Sequence, residues 1–180
     1  MNKSERRTKP RDQITVMHVD EIKSLAQQAH EDAAVRERLF ATMHGDEFRE
    51  ATHAAWALTH LPMTDNVYIE AHREDLVRLA LSTPHIPLRR ISLTLLERLE
   101  WGVEEVRTDL LDFCLEHLLR SEEPYGVRAM CVKLAYYQCR YYPELCGELY
   151  RTLTMMEQTD MGSGLRHTRG KIMKLLSPNA

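Results

Sequence analysis

The side chains with the most evident capacity for chemistry are nine histidines, four cysteines and a set of regularly spaced arginines. A zinc site needs three or four convergent ligands, and a reactive thiol needs an electropositive, accessible setting. Cys114 and His117 stand three apart and His53 and His60 seven apart, but no H-E-x-x-H run and no duplicated Glu-x-x-His pair accompanies them. Cys114, Cys131, Cys139 and Cys146 form no C-x-x-C pair, and Cys131 and Cys139 share one helical face. The expectation is reduced, packed cysteines and scattered surface or capping histidines, with no metal and no cofactor. The glycines of "GSGLR" follow no strand and lack the lysine of a phosphate loop. No nucleophile elbow is present. The adjacent acids Glu104 and Glu105, and Glu122 and Glu123, stand at helix starts, where the helix dipole favours them without catalysis. No residue is nominated as catalytic.

The arginines are more regular. Arg49, Arg89, Arg128 and Arg166 follow one another at 40, 39 and 38 residues. Each is preceded by an apolar residue: Phe48, Leu88, Val127 and Leu165. Six residues on stand Ala55, Leu95, Leu134 and Ile172, and ten residues before stand Leu39, Leu79, Leu118 and Met156. Between these anchors the hydrophobic period is helical. Leu111, Cys114, Leu115, Leu118 and Leu119 follow i, i+3, i+4, i+7, i+8, and Leu88, Ile91, Leu95, Leu96 and Leu99 form a similar stripe. No stretch alternates with period two. Breaks rich in Gly, Pro, Ser, Thr, Asp and Asn fall at 44–47, 61–66, 82–87, 101–104, 121–126, 142–144 and 159–164.

The pattern predicts an all-α chain of about nine helices in stacked antiparallel pairs. A basic tail occupies 1–12 and one helical-repeat domain occupies 13–177. Within it a leading helix spans 18–30, and pairs follow at about 31–61, 65–101, 104–141 and 143–176. A two-helix period near 40 marks a solenoid, because one hairpin cannot bury its own apolar stripe and the next hairpin covers it.

The residues "LLDFCLEHLLRSEEPYGVRAMCVKL", and more loosely "LVRLALSTPHIPLRRISLTLL" and "LYRTLTMMEQTDMGSGLRHTRGKIMKLL", resemble HEAT repeats over roughly residues 35–176. The first copy departs from the pattern, with Arg36 in place of an apolar residue and the small Ala55. The resemblance implies a HEAT/ARM-like α-α superhelix. It also implies that Arg49, Arg89, Arg128 and Arg166 form a structural ladder at the starts of second helices. Their candidate partners are Asp46, Glu122, Glu123 and Asp160, with only His85 near Arg89.

The net charge of −3 is unevenly spread: residues 1–12 carry +3 and residues 165–180 carry +4, leaving the remainder at −10. An acidic body steers a basic protein or peptide segment and argues against nucleic acid, whose affinity comes from neutralised phosphates. Aromatic and cationic residues suited to contact a partner are Tyr136, Tyr137, Arg140, Tyr141, Tyr142, Trp56 and Trp101. No apolar run is long enough to span a bilayer and none follows the basic start, so a cytoplasmic protein is expected. The reading is a non-enzymatic interaction or scaffolding module. Its alternative is a HEAT-like DNA-binding protein similar to the alkylpurine DNA glycosylases. The chain is also similar to small bacterial HEAT-like proteins that sometimes carry the name adenylosuccinate lyase. Such a lyase needs a longer helical fold and a flexible serine-bearing loop, which this sequence lacks, so lyase activity is rejected.

Overall fold

The computed structural model describes residues 18–156 and 161–177; the basic tail at 1–12 and Asp160 lie outside them. Ten α-helices follow in order: α1 (Val19–Glu31), α2 (Ala33–Met43), α3 (Phe48–Thr59), α4 (Asn66–Ala71), α5 (Arg73–Ser82), α6 (Ile86–Glu97), α7 (Thr108–Leu119), α8 (Tyr125–Cys139), α9 (Pro143–Met155) and α10 (Ser163–Leu176). The described residues contain no strand.

Local chemistry sets most boundaries. Asp32 separates α1 from α2, and its carboxylate accepts from the Ala34 amide at 2.8 Å, capping α2. Pro62 and Pro84 follow helix ends, while Pro87 and Pro143 stand in the first turns of α6 and α9, where a missing amide hydrogen costs nothing. Pro124 precedes α8.

The helices form two rows. α2, α5, α7 and α9 make one, and α3, α6, α8 and α10 make the other. Within each hairpin α2 packs on α3, α5 on α6, α7 on α8 and α9 on α10. Along the second row α3 packs on α6, α6 on α8 and α8 on α10, while α1 leads against α2 and α3. Buried Leu58, Leu76, Leu95, Leu110, Leu118, Leu134, Leu149 and Leu165 fill the space between rows in one continuous core. Ala51, Ala54, Ala55 and Ala57 are buried on α3, and such small residues shorten the distance between packed helices.

One more helix is present than the periodicity predicts. The first helix of the pair at 65–101 is broken into α4 and α5 at His72. No glycine or proline marks the break, because its cause is tertiary. The His72 ring stacks on Phe40 at 3.9 Å between centroids, while Arg73 turns away to the Glu100 carbonyl and lies over the Trp101 ring.

Candidate functional site

The last carbonyls of an α-helix have no partner within the helix, and a cation there also meets the negative end of the dipole. Arginines from the second row fill this role. Arg89 of α6 donates through Nη2 to the Thr83 carbonyl at 2.8 Å, just past α5. Arg128 of α8 donates through Nε and Nη2 to the Leu118 carbonyl, at 3.2 and 3.0 Å, on the last turn of α7. Arg169 of α10 donates through Nε to the Leu153 carbonyl of α9 at 2.7 Å. Across the α1–α2 break, Arg36 does the same to Ala29 at 2.9 Å and lies over the Tyr68 ring. This explains an arginine where the repeat pattern expects an apolar residue.

The spaced arginines differ in setting: Arg128 is buried, Arg89 is half-buried, and Arg49 and Arg166 are exposed. Arg49 is exposed on α3 and makes no hydrogen bond or ion pair among the described residues. Arg166 donates to the nearby Met161 carbonyl, while Arg169, one turn later, reaches the preceding helix. A spacing of 38 or 41 residues serves the period equally well, so the pattern alone does not choose between Arg166 and Arg169. The expected carboxylate partners are also replaced by carbonyls for Arg128. Arg89 meets one of them: Glu123 lies 3.5 Å from its Nη1 and accepts from, or pairs with, His117 Nδ1 at 2.8 Å, in a pocket that leaves both His117 and Glu123 buried.

A second group of arginines ties one hairpin to the next, and sequence reading missed its leading member. Arg98, at the end of α6, donates to the carbonyls of Leu58, Thr59 and Pro62 and to Asn66 Oδ1. Burial pushes its guanidinium below the ordinary value. Arg140, at the end of α8, donates to the Trp101 carbonyl at 2.8 Å, and the Tyr142 hydroxyl donates to the Val103 carbonyl at 2.6 Å. These contacts reach back 39 or 40 residues from Arg98 to Thr59 and Leu58, and 39 residues from Arg140 and Tyr142. The signal was the repeat length itself, read from the ends of the second helices instead of their starts.

Of the aromatic candidates, Trp101 is only 1% exposed. Its indole donates to the Leu96 carbonyl and Arg73 covers its ring at 4.3 Å. It closes the core and offers nothing to a partner, a correction to its assignment as surface. Tyr142 is half-buried with its hydroxyl engaged, while Tyr136, Tyr137 and Trp56 are half-buried, and Tyr141 and Arg140 are exposed. Arg140 lies over both Tyr137 and Tyr141.

Those residues form part of a larger surface. On the side of the second row turned from the first, accessible side chains recur at helical spacing. α3 offers Arg49, His53, Trp56 and His60; α6 offers Arg90, Thr94 and Glu97. α8 and its C-cap offer Met130, Lys133, Tyr137 and Arg140; α10 offers His167 and Lys171. Lys133 Nζ meets Glu97 Oε1 at 3.0 Å, joining α8 to α6. The Arg90 stem crosses α8 so closely that a Cβ on Gly126 would stand 3.0 Å from its Cδ. Burial, then the nearby Glu97 carboxylate, pushes the Tyr137 hydroxyl above its ordinary value.

Charge divides between the rows. The second-row face carries Arg49, Arg90, Lys133, Arg140 and Lys171, with Glu97 as the acid along it and Glu50 at its edge. The first row exposes Glu37, Glu74, Asp109, Asp112, Glu116, Glu144 and Glu148 against Arg38, Arg78 and Arg151.

The other charged cluster is an open notch between the end of α4, the start of α5 and the α7 entrance. Three of its four acids are engaged, Glu70 and Glu105 by Arg73 and Glu74 by Arg107, while Glu104 is exposed. The Arg107 guanidinium also hydrogen-bonds Asp109 and holds its carboxyl below the usual range. Among the described residues no three histidine, cysteine or acidic side chains converge as a metal site, and no helix is long and apolar enough to cross a membrane.

Two rows of stacked hairpins with a repeat near 39 residues and an uninterrupted second-row face define a helical-repeat protein. The chain belongs to the HEAT repeat domain family, whose model matches residues 12–176. No curated protein and no solved structure matches it.

Proposed function

We propose that this HEAT repeat protein is a non-enzymatic interaction module that binds another protein along the second-row face. The observation that carries this reading is the continuous run of accessible cationic and aromatic side chains across α3, α6, α8 and α10. A solenoid binds through many modest contacts on such an extended surface, and arginine and tyrosine are the residues that supply energy there. The arginine caps serve it by holding neighbouring helices in fixed relation. The acidic surplus that would steer a basic partner sits on the first row, away from this face. We place the protein in the cytoplasm, where cysteines such as Cys139 and Cys146, with sulfurs 3.8 Å apart, stay as thiols.

Crosslinking in native extract, followed by mass spectrometry, tests the reading. Crosslinks should map to residues such as Lys133 and Lys171. Crosslinks confined to first-row or hairpin-end positions, or none to another protein, would refute it.

A further inference from the structure

Resting on the reading of the second-row face as the binding surface, we propose that its partner is an extended acidic protein segment. Its carboxylates would be spaced about three residues apart.

The argument begins with sign. The chain is acidic as a whole, yet this face presents Arg49, Arg90, Lys133, Arg140 and Lys171 against Glu97 and the peripheral Glu50. A face opposite in sign to the rest of its molecule attracts and orients an anionic partner, while the acidic first row repels it from the wrong side.

Spacing then selects the kind of anion. The cations are distributed across neighbouring helices, whose axes lie about 8–10 Å apart in packed helical rows. A segment in the extended polyproline II conformation has three residues per turn and rises about 3.1 Å per residue, so every third side chain returns to the same side about 9 Å further on, over a new helix. Tyr137 lies on α8 between Lys133 and Arg140, and Trp56 lies on α3 about two turns beyond Arg49, where they can cover the apolar side chains of the intervening residues. Duplex DNA carries a charge about every 1.7 Å along its axis, far denser than one or two cations per helix can neutralise. The acidic first row would oppose it further.

One contact within the face supports this assignment. Glu97 already occupies Lys133 at 3.0 Å, as a carboxylate of the incoming segment would. It competes for the same ammonium group, so its removal should strengthen binding.

Fluorescence anisotropy of the full chain decides the matter with three labelled probes. These are a peptide with glutamate at every third position, the same peptide with lysine, and a short DNA duplex. The acidic peptide should bind at least about tenfold tighter than the basic one. Arg90→Glu combined with Lys171→Glu should weaken it by roughly tenfold, Glu97→Gln should tighten it, and Arg78→Glu on the opposite row should leave it unchanged. Tighter binding of the basic peptide or of the duplex overturns the proposal, as does indifference to the Arg90 and Lys171 reversals. If no probe binds, the acidic-segment assignment falls, while the interaction reading is still decided by crosslinking.

Discussion

Arg128 and Leu118 are ten residues apart on antiparallel helices, and two nitrogens of the arginine converge on the one leucine carbonyl. The arginine is 3% exposed, so this is a charged group taken out of water to close the end of α7. A hydrogen bond from a charged donor is worth about 1.5–3 kcal/mol when its partner would otherwise be orphaned. Arg128→Ala removes the donors and leaves a cavity between α7 and α8, and should cost about 3–4 kcal/mol in urea unfolding. Arg128→Lys keeps the charge but cannot supply the two-nitrogen geometry, and should recover less than half of that loss. A midpoint unchanged by Arg128→Ala would show that the contact is incidental.

The buried Glu123 joins His117 of its own hairpin to Arg89 of the preceding one. Removing one member of such a buried group strands the others, at a cost of about 3–5 kcal/mol. Glu123→Ala should therefore destabilise more than Arg120→Ala, whose ion pair with Glu116 lies at the surface. Thermal unfolding of the two variants compares them directly, and equal shifts would mean that Glu123 is dispensable.

The sequence pattern reached the helical pairs because stacking repeats forces leucines and turn residues to return at one interval, as at Leu88 and Val127 before Arg89 and Arg128. It chose Arg49 because an apolar-Arg pair recurs there too, yet α3 turns that residue to solvent. Side-chain type records period, whereas the face a residue occupies depends on the helix start and on the packing of its neighbours. Trp101 illustrates the same limit: a tryptophan before a glycine suits either a surface or a core, and the decision comes from Arg73 lying over its ring and Arg140 holding its main-chain carbonyl. The cationic face was hidden because its members lie on four helices, and the acidic total of the chain masks them.

Two thiols make stability fall at alkaline pH. Burial pushes Cys114 well above its ordinary value near 9, with the neighbouring Cys131 adding to it, and burial beside Cys146 also pushes Cys139 up. An acid whose folded pKa is raised holds its proton in the folded state while the unfolded chain loses it. Stability is then fully present below the unfolded value and declines as pH rises above it. Each such thiol contributes a slope of about 1.4 kcal/mol per pH unit. Unfolding measured from pH 8 to 10.5 should show this decline, and Cys114→Ala should reduce its steepness. Alkylation of the folded chain should label Cys146, the one partly accessible cysteine, ahead of the other three. Rapid labelling of Cys114 without unfolding would contradict the packing described.

Arg98 provides the test of how the hairpins are coupled. Its guanidinium serves three carbonyls at the end of α3 and the amide oxygen of Asn66, while Asn66 returns a hydrogen bond to the Arg98 carbonyl at 3.1 Å. It is the main polar link between the α2–α3 hairpin and the α5–α6 hairpin across that turn. In a stacked array each unit touches only its neighbours, so damage at one junction stays local. Arg98→Ala should lower global stability by about 2–3 kcal/mol. Amide hydrogen exchange should rise through residues 56–71, with little change in α8 and α10, although Arg140 makes the corresponding contact there with Trp101. The reciprocal variant, Arg140→Ala, should shift protection around residues 99–106 and leave the α3 end intact. Uniform loss of protection in both variants would mean that the hairpins unfold as one cooperative body and that these arginines do not define separable junctions.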